Sequence, residues 1–260
     1  MAAALVLVAG LTGCVESTEG GGTEVDGVKL VAEDKITTCT HLPYKPYQFT
    51  KDGKIVGFDV DLVDLVAKDL GVEQKILDTP FEGIESGEDF NTNRCDIAAA
   101  GITIKDDRKK VMDFSDPYFD VTQSLLVKKD SGIDGLEKLK GKKVGAQPET
   151  TGEDYAKKNE KKYGYQVVQF EDFGLLTTAV RTGQVAASVA DSGVLYDYVK
   201  DNPDTEVGAE YDLDEQLGMA VKKGNKPLLD KVNKVLADAR SDGTYAELYK
   251  KWFGVEPPEK

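Results

Sequence analysis

The stretch from Cys95 to Tyr118 combines three groups that could hold a small acid. Residues 97–100 are small and apolar, as in a buried strand, and Gly101 then leaves the backbone uncovered. Thr103 offers a hydroxyl, and Arg108 offers a guanidinium whose fixed fork of N–H donors can grip a carboxylate with two parallel hydrogen bonds. The same spacing also fits a strand, a turn and a surface arginine paired with a nearby aspartate, because structural ion pairs are common.

Two further places in the chain could face the same ligand. Asp191 follows an apolar run at 185–190, and Thr150 and Thr151 precede a predicted helix, where free N–H groups favour an anion. Asp191 also fits a simple helix cap, since aspartate is a favoured residue there. Ligands of α/β proteins bind where the carboxyl ends of strands face a crevice, so Gly101 and Asp191 are expected at one cleft.

The alternation of strand-like and helix-like patterns predicts an α/β fold. Three apolar strand-like runs between 35 and 100 alternate with helical stretches, of which 59–70 has helical apolar spacing and 81–91 is weaker. Residues 143–200 repeat the alternation, which implies parallel strands with helical crossovers. Extended segments at 122–129 and 217–221 flank this second unit, and two helices close the chain. Two nested units joined by two segments form a clamshell.

Composition excludes several classes of function. The 260 residues, 40% hydrophobic and 31% charged, suffice for two lobes with real cores. The net charge of −14 disfavours nucleic-acid binding, because such a surface repels phosphate backbones. A single histidine and three separated cysteines give no metal-type cluster, and no glycine-rich phosphate loop follows a strand, so no metal and no cofactor are expected.

The first residues resemble an export signal. Residues 1–13 contain an apolar run that is too short to span a bilayer. They are typical of the end of a signal peptide, although no Lys or Arg precedes the run. Leu11 to Cys14 resembles a bacterial lipobox, in which the cysteine becomes the lipidated first residue of the mature protein. A buried N-terminal helix is the alternative. Residues 14–28 are polar and predict a flexible tether, hence an extracytoplasmic lipoprotein on the outer face of the cell membrane.

Several motifs in order resemble the extracellular solute-binding proteins of family 3, the polar amino-acid binding proteins of ABC importers. This family includes the glutamine, histidine and lysine/arginine/ornithine receptors. The resemblance implies a type II periplasmic-binding (Venus flytrap) fold, with lobe 1 at 29–119 and 219–257 and lobe 2 at 120–218. The motifs are Gly57-Phe58-Asp59-Val60-Asp61-Leu62, Ala100-Gly101-Ile102-Thr103-Ile104 with Arg108, Asp113-Phe114-Ser115-Asp116-Pro117-Tyr118, Leu139-Lys140-Gly141-Lys142-Lys143-Val144-Gly145, Thr150-Thr151-Gly152, Asp242-Gly243-Thr244-Tyr245 and Lys251-Trp252-Phe253-Gly254.

The resemblance also implies roles for single residues. Arg108 would clamp the α-carboxylate of the ligand, helped by the Thr103 hydroxyl and by N–H groups near Gly101 and Thr151. Asp191 would take the α-ammonium together with the Gly101 carbonyl. The full expected ligand-binding set is His41, Tyr44, Phe81, Ala100, Gly101, Thr103, Arg108, Gln147, Thr150, Thr151 and Asp191.

The side-chain end of the expected pocket departs from many relatives. Tyr44 and Phe81 would sandwich the ligand side chain, but packing in a loop or at a helix start explains the two rings equally well. His41, Gln147 and Glu149 stand where relatives carry other residues, and they favour a polar ligand side chain. Glu149 would suit a cationic side chain if it points inward, and it can equally face water.

Cys39 and Cys95 lie on strands expected to be neighbours in an oxidising compartment. They form either a disulfide or two buried thiols. The offset between the two strands decides whether the two sulfur atoms can reach the geometry of a disulfide.

The expected function is that of a monomeric binding protein without a catalytic step. It would pass a polar L-amino acid, such as glutamine, glutamate or a basic amino acid, to the transmembrane subunits of an ABC permease. One alternative is a dehydratase or lytic enzyme on the same fold, with His41 and Glu149 as the only acid–base candidates and no evident partner to orient them. Another is a sensor module, which is disfavoured because nothing follows Lys260.

Overall fold

The computed structural model describes residues 22–258, which form fourteen strands and eight α-helices. The strands are β1 (Glu24–Val25), β2 (Val28–Lys29), β3 (Lys35–Thr40), β4 (Phe49–Lys51), β5 (Lys54–Val56), β6 (Glu73–Asp78), β7 (Ile97–Ala98), β8 (Met112–Phe114), β9 (Phe119–Lys128), β10 (Lys143–Ala146), β11 (Gln166–Gln169), β12 (Ala187–Asp191), β13 (Thr205–Leu217) and β14 (Ala220–Lys222). The helices are α1 (Phe58–Leu70), α2 (Phe81–Glu85), α3 (Glu88–Asn91), α4 (Thr151–Tyr163), α5 (Phe173–Thr182), α6 (Ser192–Asp201), α7 (Lys226–Asp242) and α8 (Thr244–Phe253).

Two five-stranded sheets organise these elements. The first has the order β6-β3-β7-β14-β8, with β3 parallel to β6 and β7 and with β14 antiparallel to β7 and β8. The second has the order β11-β10-β12-β9-β13, with β10 parallel to β11 and β12 and with β9 antiparallel to β12 and β13. The parallel strands are joined through helices, so the predicted two-lobed α/β fold is confirmed.

The chain crosses between the sheets twice, and the two crossings lie side by side. The outward crossing runs from β8 to β9, and the return crossing runs from β13 to β14. The Tyr118 N–H donates to the Leu217 carbonyl at 2.9 Å, and the Gly218 N–H donates to the Ile102 carbonyl at 3.1 Å. The predicted lobe boundaries, at 119/120 and 218/219, lie next to these crossings.

The C-terminal helices α7 and α8 pack against α1, and α8 also contacts the crossing. Helix α1 buries Leu62, Val66 and Leu70 at helical spacing, and it ends at Gly71, whose φ of 70° few other residues adopt. Helix α8 brings Phe253 to within 4.9 Å of Phe119, measured between ring centroids, at the start of β9. Aromatic packing therefore fixes the crossing against the first lobe.

Asp59, in the first turn of α1, is fully buried and ties a loop to the crossing. Its Oδ2 accepts a hydrogen bond from the Gly101 N–H at 2.8 Å, and its Oδ1 accepts one from the Tyr118 hydroxyl at 2.8 Å. Burial raises the pKa of Asp59 to about 6, although the hydrogen bonds from Gly101 and Tyr118 lower it. The segment after β7 and the outward crossing are therefore held by one carboxylate.

The structure differs from the sequence expectations in three places. The predicted helix 81–91 is split into α2 and α3, because Gly87 adopts a φ of 75° between them. Strands β4, β8 and β13 were not predicted. Strands β1 and β2 form a hairpin that overlaps the end of the predicted tether 14–28, and Val28 is buried, so the described end of that segment is folded.

Other expectations about the N-terminus lie outside the described residues, including the signal at 1–13 and the lipidation of Cys14. In the part of the chain from 22 to 258, no helix has the length and apolar character that crossing a membrane requires.

A disulfide joins Cys39 of β3 to Cys95, with 5.7 Å between their Cα atoms. Strands β3 and β7 are neighbours, and Thr38 pairs with Ile97. The bond closes a loop that contains β4, β5, α1, β6, α2 and α3, so it restricts a large part of the first lobe in the unfolded chain.

Removing the disulfide should destabilise the protein. With a sequence separation of 56 residues, the chain-entropy estimate for Cys39→Ser/Cys95→Ser is a loss of about 4 kcal/mol in the free energy of unfolding. Urea unfolding with and without reductant measures this loss. Reductant should lower the stability of the wild type and leave that of the double variant unchanged, whereas equal stability of the two proteins under oxidising conditions would contradict the prediction.

The raised pKa of Asp59 predicts a pH dependence of stability. Because folding raises this pKa from 3.8 to about 6, the folded protein binds the proton more tightly than the unfolded chain does. The contribution of Asp59 to the free energy of unfolding therefore falls as the pH rises from about 4 to about 6. The free energy of unfolding of Asp59→Asn should therefore fall less between pH 4 and pH 6 than that of the wild type, by about 2 to 3 kcal/mol.

Urea unfolding at several pH values between 4 and 6 tests this prediction. Asp96 and Asp191, whose pKa values burial also raises to about 6, contribute in the same direction and stay unchanged in the variant. Asp52→Asn is the matched control, because Asp52 is exposed in the turn between β4 and β5. A wild-type pH dependence in Asp59→Asn would show that Asp59 does not carry the effect.

Candidate ligand-binding site

A cavity of about 370 Å³, which includes space open to solvent, lies between the two sheets. All eleven residues predicted from the sequence line it, and Gln48 joins them. The first lobe contributes the segments after β3 and β7 and the start of α2, and the second lobe contributes the segment after β10, the start of α4 and the end of β12. The lining residues are His41, Tyr44, Gln48, Phe81, Ala100, Gly101, Thr103, Arg108, Gln147, Thr150, Thr151 and Asp191.

Arg108 lies in a short 3-10 helix and is only 1% exposed. Its Nη1 donates to the Thr103 carbonyl at 2.9 Å, and its Nη2 donates to the Glu149 carbonyl of the second lobe at 2.7 Å. Its guanidinium lies 5.3 Å from the centre of the Phe81 ring, and its Nε lies 3.7 Å from Oε1 of Glu85. Burial lowers the pKa of Arg108, which remains a cation, since arginine is not deprotonated in proteins.

Asp191 is the last residue of β12 and is also buried. It occupies the cap position of α6, but its side chain makes no cap hydrogen bond. Instead Oδ1 accepts a hydrogen bond from Nε2 of Gln123 at 2.6 Å, and the Tyr44 side chain also hydrogen-bonds to the carboxylate. Burial raises the pKa of Asp191 to about 6, Tyr44 and Gln123 lower it, Glu215 raises it and Arg108 lowers it. The carboxylate is thus held at the cavity rather than used as a helix cap.

Gly101 follows β7 with a φ of 58°, a conformation that suits glycine. A Cβ atom at this position would come within 2.8 Å of the Tyr44 ring, so the backbone approaches the aromatic side chain closely. Ala100, the preceding residue, is buried. The Gly101 N–H is taken by Asp59, which leaves the carbonyl of Gly101 as its hydrogen-bonding group in the cavity.

The start of α4 lies at the second-lobe wall of the cavity. The Thr150 hydroxyl accepts a hydrogen bond from the Glu153 N–H at 3.1 Å and donates to the Gln147 carbonyl at 2.8 Å, so Thr150 caps the helix. The Thr151 hydroxyl accepts from Nε2 of Gln123 at 3.0 Å. Gln147 is buried.

The aromatic residues of the cavity are partly engaged with the protein itself. Tyr44 packs edge to face against Phe173 of the second lobe, with 5.6 Å between ring centroids, and it stacks with Tyr47 at 5.9 Å. The Phe81 ring faces the Arg108 guanidinium. Both rings line the cavity, and their sandwiching of a ligand side chain stays a prediction.

Ion pairs join the lobes on two sides of the cavity. Lys105 pairs with Asp154 of α4 at 2.7 Å, and Lys45 pairs with Asp197 of α6 at 3.1 Å. Together with the hydrogen bond from Arg108 to the second lobe, these contacts describe a closed arrangement of the two lobes.

Four polar residues at or behind the cavity were missed by sequence reasoning, namely Gln48, Asp59, Gln123 and Glu215. Nε2 of Gln123 lies within hydrogen-bonding distance of Asp191, Thr151 and Glu215, the last at 2.9 Å. Burial raises the pKa of Glu215. The only signal for Gln48 was its position between two aromatic residues, a pattern that is also compatible with an edge strand.

Two expectations about other chemistry can be compared with this geometry. Glu149 is exposed and does not line the cavity, and only its backbone contacts Arg108. Among residues 22–258, no three His, Cys, Asp or Glu side chains are grouped so that they could hold a metal ion.

Comparison with known proteins assigns the family. The family described as bacterial extracellular solute-binding proteins, family 3, matches residues 36–255. The ABC transporter glutamine-binding protein GlnH of Bacillus subtilis (strain 168) is 38% identical over 212 residues, which are 80% of this chain and 76% of that protein.

Solved structures agree with the sequence match. An ancestral arginine-binding protein bound to arginine has a TM-score of 0.81 at 41% identity, covering 85% of this chain and 99% of its own. An ancestral arginine-binding protein bound to glutamine has a TM-score of 0.80 at 40% identity, covering 86% and 99%. The chain therefore belongs to the bacterial extracellular solute-binding proteins of family 3, which makes it a solute-binding protein rather than an enzyme.

Proposed function

We propose that the protein binds a polar L-amino acid in the cavity between its lobes and delivers it to the transmembrane subunits of an ABC permease. The observation that carries this proposal is a buried guanidinium and a buried carboxylate, Arg108 and Asp191, that line one cavity from opposite lobes. An amino acid carries one negative and one positive group a few ångströms apart. A cavity with one cation and one anion is complementary to that zwitterion.

In this proposal Arg108 binds the α-carboxylate. Two of its five N–H groups donate to backbone carbonyls, and Nε has no hydrogen-bond partner among the described residues, so donors remain for a ligand. The Thr103 hydroxyl and the N–H groups at the start of α4 assist it. This arrangement is supported by the position of Thr151 at the first turn of a 13-residue helix.

Asp191 binds the α-ammonium, together with the carbonyl of Gly101. Gln123 and Tyr44 fix the orientation of the carboxylate before the ligand arrives. The ligand contacts its two charged partners at once only when the lobes are closed, because Arg108 and Asp191 belong to different lobes. Ligand binding therefore favours the closed arrangement.

The sequence and the relatives support the wider setting of this proposal. The relative in Bacillus subtilis is named as an ABC transporter protein, which supports the permease as the partner. We propose that residues 1–13 are removed as a signal, that Cys14 carries the lipid anchor, and that the folded part works as a monomer on the outer face of the cell membrane. The lipobox-like sequence Leu11-Thr12-Gly13-Cys14 supports the anchor.

A thermal-shift screen against the common L-amino acids tests the proposed function. A ligand that binds only the folded protein stabilises it by about 4 kcal/mol when its concentration is 1,000 times the dissociation constant. At least one polar L-amino acid should raise the melting temperature, and its D-enantiomer should raise it less. The proposal fails if no L-amino acid changes the melting temperature and none binds in calorimetry.

The charge of Asp191 should be essential for affinity. In Asp191→Asn the side chain keeps its size but no longer neutralises the ammonium, so binding of the amino acid found in the screen should weaken by about 2 to 5 kcal/mol. Titration calorimetry measures this loss. Asp212→Asn, in the exposed part of β13, is the matched control and should bind like the wild type. Near-native affinity of Asp191→Asn would show that Asp191 does not bind the α-ammonium.

A further inference from the structure

Two residues of the segment that follows β3 line the cavity, and each carries a buried acceptor atom without a hydrogen-bond partner among the described residues. His41 is the first of the two residues. Its Nδ1 lies 2.9 Å from the Thr79 carbonyl, and a carbonyl can only accept, so we assign the ring proton to Nδ1. In the neutral ring Nε2 is then an acceptor, and it is buried without a hydrogen-bond partner among the described residues.

Gln48 supplies the second acceptor. Its Nε2 donates to the carbonyl of His41 at 3.2 Å, which fixes the orientation of the amide, because the opposite orientation would set two oxygens against each other. Its Oε1 is therefore identified as an oxygen, and it is buried with no hydrogen-bond partner in the described part of the chain. Both residues line the cavity, and Gln48 is only 1% exposed.

The charges of the cavity decide which donor suits these acceptors. Among the described residues that line it, Asp191 is the only carboxylate, and the proposed function assigns Asp191 to the α-ammonium. A cationic side chain at the His41 end would be buried without a counter-ion, which is costly. The carboxylate of Asp78 lies 4.0 Å from Nδ1 of His41, the ring nitrogen that faces the Thr79 carbonyl. Asp78 is half-exposed, so it does not supply a buried counter-ion.

A side-chain carboxylate is also a poor match for this end of the cavity. Its oxygens would face the lone pairs of Nε2 of His41 and Oε1 of Gln48, and it has no proton to donate. A primary carboxamide is uncharged and carries two N–H donors, one for each acceptor. The Tyr44 and Phe81 rings line the same cavity and suit the methylene groups between the carboxamide and the α-carbon.

We propose that His41 and Gln48 select an amino acid whose side chain ends in a carboxamide, with L-glutamine as the probe. This inference rests on the proposed function, because it assumes that Arg108 and Asp191 hold the α-carboxylate and the α-ammonium. It adds the chemical class of the side chain and two residues that determine specificity.

Titration calorimetry on the full chain with L-glutamine, L-glutamate and L-arginine tests the selection. Glutamate differs from glutamine only in the terminal amide, so this pair isolates the proposed contacts. Glutamine should bind at least tenfold more tightly than either of the others. Tighter binding of glutamate or arginine, or binding of none of the three, would overturn this inference and leave the proposed function standing. Only the failure of every L-amino acid in the thermal-shift screen to bind would overturn both.

The variant Gln48→Glu tests the role of Gln48 itself. It keeps the shape of the side chain and places a carboxylate at the end of the cavity. The ratio of the arginine affinity to the glutamine affinity should rise at least tenfold over that of the wild type. If Gln48 had only a structural role, the substitution would lower the affinities for both ligands alike. An unchanged ratio would therefore overturn the assignment.

Gln74→Glu is the matched control. Like Gln48, Gln74 donates through Nε2 to a backbone carbonyl, that of Val60 at 3.3 Å, and its Oε1 is buried without a partner among the described residues. Gln74 lies in β6 and does not line the cavity. The variant Gln74→Glu should lower the free energy of unfolding about as much as Gln48→Glu does, and it should keep the wild-type ratio of affinities. A matching rise of the ratio in Gln74→Glu would show that the change at Gln48 acts through general charge and would overturn the inference.

Discussion

The structure depends on one constraint, which is that a guanidinium and a carboxylate from two different lobes are both buried at one cavity. Each of these charges loses hydration that is worth several kcal/mol, so each must be compensated by neighbouring groups. Arg108 is compensated by two backbone carbonyls, by the Glu85 carboxylate and by the Phe81 ring. Asp191 is compensated by Gln123 and Tyr44. Each charge is thus held mainly by groups other than its counterpart across the cavity.

The fold positions these groups through the ends of its strands. Gly101 follows β7 in the first sheet, and Asp191 ends β12 in the second, so the two sheets present their carboxyl ends to one cleft. Asp59 links the Gly101 backbone to Tyr118 at the crossing between the lobes. The segment that lines the cavity and the crossing between the lobes are therefore bonded to the same side chain.

Much of the site could be predicted because its residues lie in short motifs next to recognisable strands and helices. Four residues of one short segment, Ala100, Gly101, Thr103 and Arg108, line the cavity, and so do the adjacent residues Thr150 and Thr151. Gln123 could not be predicted in the same way. It lies in β9, 68 residues from Asp191, and only the pairing of β9 with β12 brings the two side chains together.

The elements that were missed have a physical reason as well. Strand β13 contains the run Tyr211-Asp212-Leu213-Asp214-Glu215, whose charges hide the strand pattern, and its pairing with β9 is interrupted by register shifts. Gly87 breaks the weak helical pattern of residues 81–91. The disulfide was undecidable because it depends on the offset of Cys95 from β3, which only three-dimensional pairing fixes.

The most direct test of the charge pair changes the ligand rather than the protein. Titration calorimetry would compare the amino acid that the protein binds with two analogues, one in which hydrogen replaces the α-ammonium and one in which an amide replaces the α-carboxylate. If Arg108 and Asp191 each hold one of these groups, both analogues should bind at least about 30-fold more weakly, since each leaves a buried charge without its partner. An analogue that binds as tightly as the parent amino acid would contradict the account.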